Sequence, residues 1–198
     1  MSRLVLYMSM SFDGFIAGPD DDESNPLGID GHRLHDWLHD GDADPASYRP
    51  SAEPSRTVFD ELMATGAVVT GTRTGDLAGY WGGDHHDGVP IFVPTHRAPV
   101  GDPPGHVRFV TDGIESCVAQ AKSAAGDRDV MLHGANTAQE CLRAGVLDEM
   151  EIHLVPVLLG DGRRLFNALG PGHIELELVR VLDAPAVMHL RYRVQGAQ

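Results

Sequence analysis

Four short segments combine small, hydroxyl-bearing and cationic residues in a way that suits a phosphate-bearing ligand. Gly71-Thr72-Arg73-Thr74 follows the apolar run Ala67-Val68-Val69-Thr70, and Thr95-His96-Arg97 follows Pro90-Ile91-Phe92-Val93-Pro94. Thr111-Asp112-Gly113 follows Val107-Arg108-Phe109-Val110, and His133-Gly134-Ala135-Asn136-Thr137 follows Asp129-Val130-Met131-Leu132. Small residues let the backbone approach a ligand closely. Free N–H groups at a helix start attract phosphate oxygens, and arginine adds forked, charge-assisted bonds. In an open α/β sheet, ligands bind outside the carboxyl ends of the parallel strands. The four segments together predict an extended ligand with several phosphates, such as a dinucleotide. Arg73 and Arg97 fit an extra 2′-phosphate, and so NADP(H) over NAD(H). No G-x-G-x-x-G and no Walker A motif is present, so the expectation rests on the four loops agreeing.

Other residues offer other chemistry. Asp13 stands where the first strand leaves the sheet, next to Gly14, and suits either substrate contact and proton relay or an Asx turn. Trp81, after Gly79-Tyr80, suits packing over a flat ring or covering the core. His32, His35 and His39, with Asp36 and Asp40, share a predicted helix face, and Asp84-His85-His86-Asp87 forms a second cluster. That spacing permits metal coordination, but an exposed polar face and a loop are the commoner outcome, and no metal is expected. Ser9 and Ser11 lack a G-x-S-x-G elbow, and H-E-x-x-H is absent. Lys122, the one lysine, falls in an Ala-rich helical stretch, which sets Schiff-base chemistry aside.

These residues need strands to carry them. Leu4 to Met8, Ala67 to Thr70, Pro90 to Pro94, Val107 to Val110 and Asp129 to Leu132 read as buried strands. Helical spacing covers His32 to His39 and Pro54 to Thr65, where Ser55 suits a cap. Asp112 starts another helix with Glu115 at the reciprocal capping position, and a further helix follows Leu132. Residues 150–155, 174–179 and 188–193 alternate as half-exposed strands, the last two pairing across Asp183-Ala184-Pro185. Residues 40–53 read as a covering loop. The expected fold is one α/β domain over 1–198: a three-layer sandwich whose mixed, mostly parallel sheet is flanked by helices and ends in antiparallel strands.

Composition narrows the function classes. The 198 residues carry 29 acids against 15 bases, a formal charge of -14, which argues against sequence-independent nucleic-acid binding and anionic membranes. Ten of the acids lie between Asp13 and Asp44. Cys117 and Cys141 occupy apolar helix positions and read as buried free thiols. No signal-peptide pattern or long apolar span is present, so a cytoplasmic location is expected.

The order of several motifs is similar to that of the dihydrofolate reductase-like superfamily. The specific group contains the C-terminal reductase domain of the bifunctional riboflavin-biosynthesis deaminase-reductase. The matching segments include Ser11-Phe12-Asp13-Gly14-Phe15-Ile16-Ala17-Gly18, Gly71-Thr72-Arg73-Thr74, Tyr80-Trp81 and Val93-Pro94-Thr95-His96. Val130 to Ala135, Val146 to Glu149, Leu154 to Gly162 with Leu165-Phe166, and His189 to Tyr192 complete them. The resemblance implies an NADPH-dependent reductase acting on a small, pterin- or pyrimidine-like heterocycle, and a homodimer. A non-catalytic nucleotide- or heterocycle-binding protein on the same fold is the alternative. The resemblance also implies that Gly71 to Thr74 and His133 to Thr137 hold the cofactor phosphates, with Thr95, His96 and Arg97 near the 2′-phosphate. Ile16 and Ala17 would border the nicotinamide, with Asp13, Trp81 and Gly160 on the substrate side. Thr72 replaces an arginine often found there, and His133 replaces the first of two glycines.

Overall fold

The computed structural model describes residues 2–39, 48–167, 169–170 and 172–196. Along the chain, β1 (Leu4–Ser11) and β2 (Phe15–Ala17) precede a 3-10 helix (Gly31–Leu38) and α1 (Ser55–Met63). Next come β3 (Ala67–Thr70), α2 (Thr72–Leu77), a second 3-10 helix (Gly79–Gly83), β4 (Ile91–Pro94) and β5 (Val107–Val110). Then α3 (Ile114–Ala125), β6 (Val130–His133), α4 (Ala135–Arg143), β7 (Glu149–Val155), β8 (Arg163–Arg164), β9 (Leu176–Ala184) and β10 (Val187–Val194) follow. Eight strands form one sheet in the order β5-β4-β3-β6-β1-β7-β10-β9. The pairs from β5 through β7 are parallel, and β10 runs antiparallel to both β7 and β9. This is the expected mixed sheet with antiparallel C-terminal strands.

The apolar runs form parallel strands because helices cover both of their faces. On one face Leu4, Leu6, Val69, Phe92 and Leu132 pack under Cys117, Val118 and Ala121 of α3 and Ala138, Cys141 and Leu142 of α4. Both cysteines are buried and free. On the other face Val5, Tyr7, Val68, Ile91, Val93 and Met131 meet Leu62, Tyr80, Trp81 and Phe109. Towards β7 and β10 that second face turns polar. Glu149, Glu151, His153, His189 and Arg191 are all buried there, with α1 contributing Ser55 and Glu61.

Opposite charges hold this layer. Arg191 Nε donates to Glu149 Oε2 at 2.7 Å, and Arg3 Nη1 donates to Glu149 Oε1 at 3.2 Å. Arg180 Nη2 reaches Glu61 Oε2 at 2.7 Å and Glu151 Oε2 at 3.0 Å. Burial pushes the Glu151 pKa up against the pull of Arg180 and Arg191. Lys122 is held by Asp148 at 2.6 Å, and Asp148 also accepts the Leu4 N–H at 2.6 Å.

The structure departs from the sequence expectations at identifiable points. Thr72 to Thr74, expected as loop, begin α2. The small sheet of β2 and β8 was not expected, because neither strand has a run long enough to show a period. Residues 150–155 are not half-exposed, since Glu151 pairs with Arg180 and Arg191 and His153 packs against Trp37 of the first 3-10 helix. Ser55 does not cap α1: Pro54 holds the cap position, and Ser55 Oγ lies 3.1 Å from His189 Nε2. Asp112 does not cap α3, whose cap residue is Gly113 with no side-chain bond. The second alternating strand starts at Leu176 rather than Ile174. The hairpin turn falls on Pro185 and Ala186, with Ala186 at φ 63. The 3-10 helix Gly31–Leu38 stands for the expected helix, and part of the expected covering loop, residues 40–47, lies outside the described residues.

Arg191→Met would take one cation from each of Glu149 and Glu151, leaving Arg3 beside Glu149 and Arg180 beside Glu151. Removing one partner of a buried pair costs about 3–5 kcal/mol, and urea denaturation should show a loss of that size with an unchanged m-value.

Candidate functional site

The carboxyl ends of β3, β4, β5 and β6 converge on a cleft of about 510 Å³. Gly71, Thr72, Arg73, Thr74, Thr95, His96, Gly134, Ala135, Asn136 and Thr137 all line it, together with Thr111 and Gly113. Short parallel strands in register place these loops side by side. Two of them touch through glycine. A Cβ on Gly71 would sit 2.5 Å from Thr137 Oγ1, and one on Gly134 would sit 2.6 Å from Thr74 Oγ1. Gly134 also holds φ +93, a conformation that L side chains rarely adopt. Both contacts keep backbone and hydroxyl groups, rather than carbon, on the cleft wall.

The donor set fits a polyphosphate. Five threonines line the cleft, and α3 and α4 open onto it from Gly113 and Gly134 without side-chain caps. Uncapped helix starts present unpaired N–H groups. Arg73, Arg143 and Arg163 add charge, offset in part by Glu140. Arg163 and Arg143 were not singled out from sequence. Arg143 carries a usable signal, because Asn136, Glu140 and Arg143 recur at helical spacing opposite Ala138, Cys141 and Leu142. Arg163 arrives on the unforeseen β8, paired with Ala17.

Arg73 and Arg163 share one carboxylate. Arg73 Nη2 lies 2.8 Å from Asp21 Oδ1 and also donates to the Asp21 carbonyl at 2.8 Å. Arg163 Nε donates to Asp21 Oδ2 at 3.1 Å. Burial raises the Asp21 pKa, but the two guanidinium groups outweigh it and hold the carboxyl below its ordinary value.

Four residues expected at the cofactor do not line this cleft. Arg97 is exposed and outside the cleft lining; its N–H and carbonyl close a turn on Thr95 Oγ1. Ile16 and Ala17 are buried in β2, with Ile16 in the main apolar cluster. The His133 side chain leaves the cleft side altogether, because alternate residues of β6 face opposite ways. Its Nδ1 donates to the Tyr7 carbonyl at 3.1 Å, and its Nε2 lies 3.3 Å from His85 Nε2.

His133 belongs to an aromatic group with Trp81 and His85. The Trp81 and His85 rings meet at 4.5 Å, and the His85 and His133 rings stack at 5.3 Å. Tyr80, Trp81 and Gly82 all hold positive φ, a strained run that turns Trp81 inward. His85 continues to His86 through Nδ1 atoms 2.8 Å apart. Thus Asp84-His85-His86-Asp87 is no solvated loop: His86 is buried and His85 half-buried. His35 and His39 are also partly buried, each with an Nδ1 that has no hydrogen-bond partner among the described residues, rather than part of an exposed face; Asp40 lies outside the described residues. Among the described residues no group of three or more ligating side chains suits a metal.

Asp13 is tied down on three sides. Its carboxylate accepts Ser11 Oγ at 2.6 Å, Gly160 N at 2.7 Å and Leu159 N at 3.2 Å. Burial pushes its pKa up, but these bonds outweigh that and keep it below the ordinary value. Gly160, at φ +78, therefore serves Asp13 through its N–H.

The sequence model of the RibD C-terminal domain matches residues 3–190. The chain belongs to the RibD C-terminal domain family. A relative in Bacillus subtilis (strain 168), the uncharacterized protein YwjB, is 24% identical over 178 residues, which is 84% of each chain. A protein from Shewanella sp. PV-4 assigned to riboflavin biosynthesis superposes with a TM-score of 0.72 at 21% identity, covering 98% of this chain and 99% of that one. The deaminase and 5-amino-6-(5-phosphoribosylamino)uracil reductase of Thermotoga maritima gives 0.62 at 14% identity, over 98% of this chain and 57% of that one. Dihydrofolate reductase from Enterococcus faecalis, complexed with NADP(H), gives 0.59 at 13% identity, over 99% and 96%. The RibD C-terminal fold of this chain is thus dihydrofolate reductase-like.

The buried imidazoles generate a pH dependence. Desolvation lowers His35, His133 and His189 to about 4 and His85 to about 2, and drives His153 well below its ordinary value. The unfolded chain binds protons at these sites first, so their stability is present above the unfolded value near 6.5 and is lost as pH falls towards 4. Each histidine contributes up to about 1 kcal/mol of loss between pH 7 and 5.5. Denaturation midpoints across that range should fall steeply, and His189→Asn should flatten the slope.

Proposed function

We propose that the cleft binds NADPH and that the protein is a reductase acting on a small heterocyclic substrate. The carrying observation is the convergence of threonine hydroxyls, uncapped helix starts and arginines on one cleft. When bound, the nicotinamide supplies a hydride for a C=N or C=O bond. The protein's part is to hold the phosphates and orient the ring. Gly71 to Thr74 and Gly134 to Thr137 are assigned to the phosphates. Thr95 and His96 are assigned to the adenosine side, with Arg97 at most a peripheral charge. The small sheet of β2 and β8 is assigned to the nicotinamide end, with Ile16 and Ala17 shaping it from behind.

Asp13 acts in this reading as a positioning residue. Its bonds to Gly160 and Leu159 fix the loop after β7 against the end of β1. The neutral rings of His85, His133 and Trp81 offer a flat, uncharged surface that suits a heterocycle. The exposed acids Asp20, Asp22 and Glu23 disfavour a phosphorylated substrate. No helix among the described residues is long and apolar enough to cross a membrane, and buried free thiols suit a reducing, cytoplasmic setting. A second copy of this chain is the proposed partner, since the edge strand β9 exposes Leu176, Leu178, Val179 and Val181.

Titration with NADPH should quench Trp81 emission and raise the melting temperature; no response at millimolar concentration overturns the reading. Arg73→Ala should weaken NADPH about tenfold by fluorescence titration, in line with loss of a charge-assisted contact. NADPH binding without oxidation across a panel of pterins and pyrimidines would favour the non-catalytic alternative. Light scattering should give a dimer mass, and Val179→Glu should give a monomer with an unchanged circular dichroism spectrum.

A further inference from the structure

The acidic segment after β2 is an ordered loop. Gly18 N–H donates to the Leu27 carbonyl at 2.8 Å, and Ile29 N–H to the Pro19 carbonyl at 2.8 Å. Asp22 closes the tip by accepting Ser24 N at 2.8 Å and Asn25 N at 2.9 Å. Most of the tip is exposed, yet the Asp21 side chain is only 12% exposed. It lies between an arginine of α2 and an arginine of β8. Both arginines line the cleft. Asp21 and Arg163 are also mechanically linked: β8 pairs with β2, and a Cβ on Gly162 would collide with the Ala17 carbonyl.

We propose that Asp21 is a specificity-determining residue: it is the internal counter-ion of the phosphate-binding arginines Arg73 and Arg163, and a ligand phosphate must displace it. The inference rests on reading the cleft as the phosphate-binding groove. A carboxylate carries one charge on two oxygens. A phosphate diester also carries one charge, so exchange for Asp21 gains little. A diphosphate brings at least two charges on adjoining phosphates and outcompetes the carboxylate. The cleft thereby selects for a ligand that brings a diphosphate to this arginine pair, and its occupation frees the 19–29 loop.

The test is a double-mutant cycle read by calorimetry on the full chain. Wild type, Asp21→Asn, Arg163→Gln and the double variant are titrated with NADPH and, separately, with inorganic pyrophosphate. Asparagine keeps the shape and removes the charge. Asp21→Asn should tighten both probes by about fivefold, the scale of a partly exposed ion pair. In the Arg163→Gln background the gain should shrink to less than half. Hydrogen exchange of residues 19–29 should rise in wild type on ligand binding and be raised already in free Asp21→Asn. Unchanged or weaker binding of both probes by Asp21→Asn overturns the inference. Wild type that binds pyrophosphate but not NADPH sinks the cofactor reading instead, while a tighter pyrophosphate complex in Asp21→Asn still supports the counter-ion role.

Discussion

Parallel pairing on both sides of β1 is the constraint on which the rest depends. β1 runs parallel to β6 and β7, and β6 continues parallel through β3 and β4 to β5. Each parallel pair sends its carboxyl end the same way. The loops after β3, β4, β5 and β6 therefore have one pole in common, whatever residues they carry. Once there, Gly71 and Gly134 let neighbouring loops close to contact. The cleft follows from the strand directions, and its donors follow from what small loop residues leave uncovered.

Two halves of the core do different jobs. Beneath α3 and α4 the packing is apolar and carries the phosphate-facing helices. Beneath α1 the same sheet buries glutamates, arginines and histidines. Such pairing contributes modest net stability relative to apolar packing, but it penalises wrong arrangements heavily. The polar layer extends through His153, His189 and Ser55 to Trp37, whose indole N–H donates to Ser9 Oγ at 2.9 Å.

The buried strands and the cleft loops were legible because local sequence determines them. Apolar runs ending in Gly or Thr mark strand exits, and ten of the expected phosphate residues do line one cleft. What failed depends on tertiary context. The segment His133 to Thr137 is expected at the phosphates, and only tertiary structure shows that strand alternation turns the His133 side chain away from the cleft. Glu149, Glu151 and His153 look like a solvent face until Arg180, Arg191 and Trp37 are placed against them. β2 and β8 are too short to show a period, so Arg163 and its tie to Asp21 could not be foreseen. The acidic segment reads as a surface property, whereas one of its carboxylates pairs with two arginines that line the cleft.

The split core also means that the molecule does not hold together as one uniform unit. Apolar contacts under α3 and α4 do not respond to acid, while the layer under α1 buries imidazoles that charge once the chain opens in acid solution. Opening therefore begins at α1 and the C-terminal hairpin, leaving the β1–β6–β3 block with its two helices as the longest-lived cooperative remnant. The half that outlasts the other is the half that carries the cleft.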